Sequence, residues 1–383
     1  MEYIQYLSII THRLRLQRLQ NICLRISQVF IDDNKKNTNQ AKTIARWTLQ
    51  RPLMKKTTIA LLAALSLTSS LTLADYPTKD IQGIIQWGAG GSTDTVMRSI
   101  APHVEKELGG DIILTNKTGG VGAIATKYVN AKKADGYTLL MGAENPQMYK
   151  ILGLSNIDYS DMIAINVLAR GTPIIVANND APFNTMQELI EYTKAHPGEV
   201  KFGSTGPGGL TSIVTAMLDS QVKLNYISIP YNGDGPALTA LQGGAIDVMP
   251  AVLGATIEQI KAGRMKAISL VDVESNKLLP DLAPITDALP GMKSYLPWGP
   301  FFGVFVKKGT PDEAVEKLQA AFQKAAYNKD FVDLMQKRGF TIMNISGKEA
   351  DYFLEAYRST SSWLVHDAGF SKFSPEEFGI RKP

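Results

Sequence analysis

One pattern occurs twice in this chain: an apolar strand runs into a glycine-rich turn, and the turn opens directly into a helix. The first copy is Ile81-Gln82-Gly83-Ile84-Ile85-Gln86-Trp87 followed by Gly88-Ala89-Gly90-Gly91-Ser92-Thr93. From about Asp94, the residues Val96, Met97, Ile100, Val104 and Leu108 recur at helical spacing, and Gly109-Gly110 ends the run. The second copy is Val200-Lys201-Phe202-Gly203-Ser204 entering Thr205-Gly206-Pro207-Gly208-Gly209, with Ile213, Val214, Met217 and Leu218 on the helix that follows. Elsewhere short apolar strands, such as Ile112-Ile113-Leu114, alternate with helical patterns. This alternation predicts an α/β chain with largely parallel sheets. One copy of the pattern per domain, facing across a cleft, is the simplest arrangement.

Such turns have a definite chemistry. The first N–H groups of a helix lack intrahelical acceptors and lie at the positive end of the helix dipole, so they bind carboxylate or phosphate without a charged side chain. Glycine lets a ligand approach the backbone closely. This reasoning puts Ala89, Gly90, Gly91 and Ser92 near a ligand in the first loop. In the second it puts Ser204, Thr205, Gly206 and Gly208 there. A tight strand-to-helix turn without a ligand is the plainer reading of either loop taken alone.

Enzyme signatures fail at identifiable positions. Neither loop ends in the Gly-Lys-Ser/Thr of a phosphate-binding P-loop, and Thr93 stands where a dinucleotide fingerprint needs its last glycine. Phe202-Gly203-Ser204-Thr205-Gly206 has Phe where a nucleophile elbow begins with Gly. His103, His196 and His366 are widely spaced and read as structural or exposed. No catalytic residue, metal site or cofactor is expected. Thr185 to Glu188, Thr310-Pro311 to Glu313 and Ser346 to Glu349 fit helix-capping boxes and carry structure only.

The charge distribution separates the N-terminal region from the rest. The 40 Lys/Arg and 36 Asp/Glu divide as 11 and 3 over residues 1–74 and as 29 and 33 over residues 75–383. The larger part is mildly acidic, which argues against a nucleic-acid partner. Met54-Lys55-Lys56, the apolar run Ile59 to Leu67 and the small-residue end Leu71-Thr72-Leu73-Ala74 have the pattern of a secretory signal peptide over 54–74. The apolar run is short for a membrane span, which needs roughly 20 apolar residues. We read Met54 as the start and residues 1–53 as an over-extended N-terminus, with an unusually long leader as the alternative. The mature chain would begin near Asp75, without Cys23, the only cysteine. A free periplasmic protein is therefore expected rather than a lipoprotein or a disulfide-stapled one.

The two loops and their surroundings resemble the tripartite tricarboxylate transporter receptor family, also called Bug proteins. The resemblance runs from Tyr76-Pro77-Thr78-Lys79 and Trp87 to Asp94 through Asn116-Lys117-Thr118-Gly119-Gly120-Val121-Gly122 and Ala134 to Leu140. It continues with Pro230-Tyr231-Asn232-Gly233-Asp234-Gly235-Pro236-Ala237, Leu241 to Asp247, and Trp298-Gly299-Pro300 to Gly309-Thr310-Pro311. It implies a type II periplasmic-binding-protein fold, with two α/β domains around a ligand cleft and crossings near residues 177 and 301. Domain 1 would combine 75–177 with 302–383, and domain 2 would span 178–301.

The resemblance also implies ligand contacts at the two loops, at Trp87, Thr211 and Tyr231, and at Asp94. The alternative for Asp94 is an acid in a first helical turn, stabilised there by about 0.3–1 kcal/mol. Trp87 replaces the frequent Phe, hydroxyls at Thr211-Ser212 replace a frequent His, and Asn232 stands where Lys is common. The expected function is a periplasmic receptor, monomeric by default. It captures a small organic acid and hands it to one large and one small integral membrane subunit. A periplasmic sensor for a signalling receptor and an exported hydrolase built on Ser204 are the alternatives.

Overall fold

The strands of residues 76–383, the part of the chain that the computed structural model describes, assemble into two mixed sheets. The expected signal peptide over 54–74 and the extension over 1–53 lie outside the described residues. No helix among the described residues is long and apolar enough to cross a membrane.

The first sheet contains β1 (Ile81–Ile85), β2 (Ile112–Asn116), β3 (Thr138–Ala143), β4 (Met162–Arg170), β10 (Phe301–Lys307) and β11 (Thr341–Ile345), in the order β11-β4-β10-β3-β1-β2. The second contains β5 (Pro173–Ala177), β6 (Val200–Ser204), β7 (Tyr226–Pro230), β8 (Val248–Val252) and β9 (Lys266–Leu270), in the order β7-β6-β8-β5-β9. In chain order the helices that matter below are α1 (Ser92–Leu108), α2 (Ala123–Asn130), α3 (Met186–Ala195), α4 (Leu210–Asp219), α5 (Asp234–Gln242), α6 (Asp312–Ala326) and α7 (Gly347–Asp367).

The doubled sequence pattern is a doubled topology. In the first sheet β1 lies between β2 and β3 and is parallel to both, with α1 and α2 as the connections. In the second, β6 lies between β7 and β8, again parallel to both, with α4 and α5 as the connections. The chain leaves β1, and likewise β6, toward one neighbour and returns on the other side. That reversal opens a crevice beyond the carboxyl end of the central strand, where α/β sheets bind ligands.

The sheets are less parallel than the alternation predicts. β10 runs antiparallel to β3 and β4, β11 to β4, and β5 to β8 and β9. The reversals lie at the strands that exchange between sheets: β4 is the last before the chain leaves the first sheet, β5 the first in the second, and β10 the first on return. Pro173–Ala177 pairs with β8 and β9, so the chain passes from the first sheet to the second at Gly171-Thr172. The chain returns to the first sheet at β10, which follows Pro300.

β5 and β8 are buried at every position, which their uniformly apolar sequences allow between two layers of helices. Pro250 in β8 has no N–H to give, and toward β6 only the Phe202–Val248 register pair forms. On α4, Ile213, Val214, Met217 and Leu218 are all buried, each contributing about 1.5–3 kcal/mol. Of the three expected caps, one forms as a side-chain bond: Thr185 Oγ1 accepts from the Glu188 N–H at the start of α3. At α6 the cap position is Pro311, because Thr310 Oγ1 donates to the Lys307 carbonyl instead. At α7, Ser346 Oγ accepts from Gln323 and leaves the helix end uncapped by a side chain.

Candidate functional site

The two glycine-rich loops meet at one cavity. Trp87, Gly91, Ser92 and Thr93 line it from the β1–α1 connection, and Thr205 and Leu210 from the β6–α4 connection. Ala143 and Glu144 close it from the end of β3, and Asp234 from the first turn of α5. Val252, Pro300 and Phe302 complete the wall. The cavity measures about 30 Å³, against roughly 300–1,000 Å³ for small-molecule pockets in general.

Both helices present bare N-termini. α1 is preceded by Gly91 and α4 by Gly209, each in extended backbone and neither giving a side-chain cap. The leading N–H groups of each helix thus lack an intrahelical acceptor. Gly90 at φ 77, Gly206 at φ 87 and Gly208 at φ 80 hold left-handed conformations that the turns require.

The first loop is shaped by a carboxylate. Asp94, 6% exposed, accepts from the Gly90 N–H at 3.0 Å through Oδ2. Its Oδ1 accepts from Arg98 Nε and Asn116 Nδ2, both at 2.8 Å. Asn116 Nδ2 also reaches the Trp87 carbonyl at 2.8 Å, tying β2 to the loop. Asp94 thus engages both oxygens, Oδ2 on the loop and Oδ1 on Arg98 of α1 and Asn116 of β2.

The second loop is shaped by hydroxyls. Thr211 Oγ1 accepts from the Thr205 N–H at 2.7 Å and lies 3.0 Å from Thr205 Oγ1. Ser204 Oγ accepts from the Gly206 N–H at 3.1 Å. Ser212 Oγ accepts from the Gly208 N–H at 2.7 Å.

Contacts also run between the two halves. The Gly88 N–H donates to the Asn232 carbonyl at 3.1 Å, and Ser92 Oγ to Asp234 Oδ2 at 2.9 Å. A Cβ on Gly235 would lie 2.1 Å from the Ala89 carbonyl oxygen, so glycine is what lets the two backbones touch. On the other loop, Asn145 Nδ2 donates to the Gly208 carbonyl at 2.8 Å, and a Cβ on Gly208 would meet Leu152 Cδ1.

Of the residues singled out from the sequence, Trp87, Gly91, Ser92 and Thr205 line the cavity. Trp87, 8% exposed, also packs against Gly233, so it both lines and packs. Ala89 and Gly90 sit on the exposed rim. Asp94, Ser204, Gly206, Gly208 and Thr211 stand behind the lining and shape it. Tyr231 is held by its N–H to the Ser204 carbonyl at 2.7 Å and, half-buried, packs against the second sheet's core. His196 stacks on Tyr192 and His366 bonds Ser371; neither lines the cavity.

Sequence reasoning missed Glu144 and Asp234 as lining residues. Glu144 is 3% exposed. Burial first, and then the charge of Asp234, push its carboxyl up to about 8, against a bond from its own main chain that lowers it. Burial also raises Asp234, and the Ser92 hydroxyl opposes that shift.

A sequence model described as tripartite tricarboxylate transporter family receptor matches residues 96–369. The protein BugT of Bordetella pertussis is 27% identical over 288 residues, which cover 73% of this chain and 86% of that one. The periplasmic binding protein BugD has a solved structure that superposes with a TM-score of 0.73 at 26% identity, covering 77% of this chain and 99% of its own. MatC of Rhodopseudomonas palustris, solved with bound malate, shares the fold with a TM-score of 0.69 at 24% identity, covering 76% of this chain and all of its own (100%).

Proposed function

Because the chain belongs to the tripartite tricarboxylate transporter receptor family, we propose that it is a periplasmic solute-binding receptor for a small organic acid. One observation carries the carboxylate class: two helix N-termini without side-chain caps, α1 and α4, face a single cavity from opposite halves of the molecule. Each supplies N–H donors and a positive dipole end. No Lys or Arg is among the residues that line the cavity, so backbone and hydroxyl groups do the anion binding.

The halves part to admit the acid and close on it, with Gly88, Asn232, Ser92 and Asp234 forming the contacts that hold them together. The closed form is the one that the large and small membrane subunits of the transporter recognise. No covalent step is assigned to the cavity. Export relies on the segment 54–74, and residues 171–172 and 298–300 act as the two strands of the hinge between domains.

The test is isothermal titration of the purified protein with mono-, di- and tricarboxylates. One acid class should bind at a 1:1 ratio and be recovered unchanged. Consumption of the acid, or saturation only at several sites per chain, would sink the reading.

A further inference from the structure

The proposed carboxylate receptor carries two carboxyl groups in its own cleft. Glu144 and Asp234 both line the cavity that α1 and α4 face. They come from opposite halves: Glu144 follows β3, and Asp234 opens α5. Asp234 Oδ2 has one partner, the Ser92 hydroxyl at 2.9 Å. The Glu144 carboxyl is buried at 3% exposure and, among the described residues, meets no donor beyond its own main chain. No Lys, Arg or His lines the cavity to balance either group.

A buried carboxylate without a counter-charge is costly, and one facing a second acid is costlier. The upward shift of both groups expresses that cost. An ammonium group would remove it, since it carries a positive charge and three donors that two carboxylates can share. The same cavity also offers N–H donors at two helix ends, which suit an anion. Donors and acceptors thus face one cavity together, Asp234 beside the α1 end and Glu144 beyond β3, which suits a ligand bearing both charges.

We infer that the ligand of this cleft is a zwitterionic acid, its carboxylate at the N-termini of α1 and α4 and its ammonium group received by Glu144 and Asp234. This rests on the carboxylate-receptor reading and narrows it. Glu144 and Asp234 are then the residues that set specificity, while the loops supply the affinity common to all acids.

The test is a set of titrations of the full chain with matched pairs: aspartate and succinate, glutamate and glutarate, alanine and propionate, phenylalanine and 3-phenylpropionate. In at least one pair the amino acid binds about tenfold or more tightly than its des-amino partner, the size of a charge-assisted hydrogen bond. Glu144→Gln removes most of that ratio and leaves the des-amino affinity within about threefold. Asp234→Asn lowers the ratio less, because its oxygen is shared with Ser92, and it weakens both members of each pair through the lost contact between halves. Retained binding of the des-amino acid shows that each variant is folded.

If the des-amino member binds as well or better in every pair that binds, the inference is overturned and the carboxylate reading stands. An unchanged ratio in both variants overturns it in the same way. Failure of every compound in both columns would overturn the carboxylate reading and the inference together.

Discussion

The β1–α1 and β6–α4 loops have the same topology and opposite chemistry. Both follow a central parallel strand and end in a helix without a side-chain cap. The first is organised by one carboxylate, Asp94, which gathers the Gly90 N–H, Arg98 and Asn116. The second is organised by Ser204, Thr211 and Ser212, with no charge. The cavity they share also holds Glu144 and Asp234, the latter bonded to the first loop through Ser92. What the pair teaches is that topology fixes where the N–H donors point, while the side chains behind them decide how the site responds to pH and substitution.

The sharpest way to break this contrast is pH. Glu144 titrates at about 8 in the folded chain, well above its ordinary 4.5. The folded state therefore holds a proton that the unfolded state gives up over that interval. The stability linked to it is full below about pH 4.5 and is lost as pH rises toward 8, by on the order of 3–4 kcal/mol. Denaturant unfolding at pH 5 and pH 8 measures it. Glu144→Gln should flatten that decline, and a Thr211→Val chain should keep it.

Next in size is the contact between halves. Gly235→Ala places a Cβ against the Ala89 carbonyl, part of a backbone that cannot step aside. If the halves part and close as proposed, affinity for the acid should fall by about 100-fold while the free protein unfolds nearly as before, the strain of about 3 kcal/mol being borne by the closed form. Gly208→Ala meets only the tip of Leu152, which can rotate away, and adds strain from its positive φ. Its cost should be about 1–2 kcal/mol, seen as a lower Tm. Equal effects in both variants would erase the difference between the loops.

Asp94→Ala and Thr211→Val compare the two organisers directly. The first removes the acceptor of the Gly90 N–H, Arg98 Nε and Asn116 Nδ2 together, and should cost about 2–3 kcal/mol of stability. The second strands the Thr205 N–H and should cost about 1–2 kcal/mol. Asn145→Ala removes both the bond to the Gly208 carbonyl and the one that Asn145 Oδ1 accepts from buried Gln86 Nε2, and should cost about 1–2 kcal/mol. Thermal unfolding with and without a bound acid separates the two readouts.

Much of this was legible in the sequence because it is local. β6 spans the five residues expected, and α1 starts at Ser92, two residues before the first apolar stripe suggested. The glycine-rich turns announced both helix ends. Glu144 and Asp234 were not legible as site residues, since nothing within either segment links them. They meet because β3 lies beside β1 and because α5 packs its first turn against the first loop. The sheets' mixed direction was hidden for the same reason, being set by which strands exchange between halves. Asp94 shows the complementary limit: the spacing placed it at the loop, but only its three partners reveal that both oxygens are engaged.

The central claim is that one acid touches both helix ends at once. Amide resonances of Ser92, Thr93, Thr205 and Leu210, followed by NMR as a binding acid is titrated in, test it most directly. The account predicts that both groups shift together and saturate at one acid per chain. Shifts confined to one loop, or to neither, would contradict it.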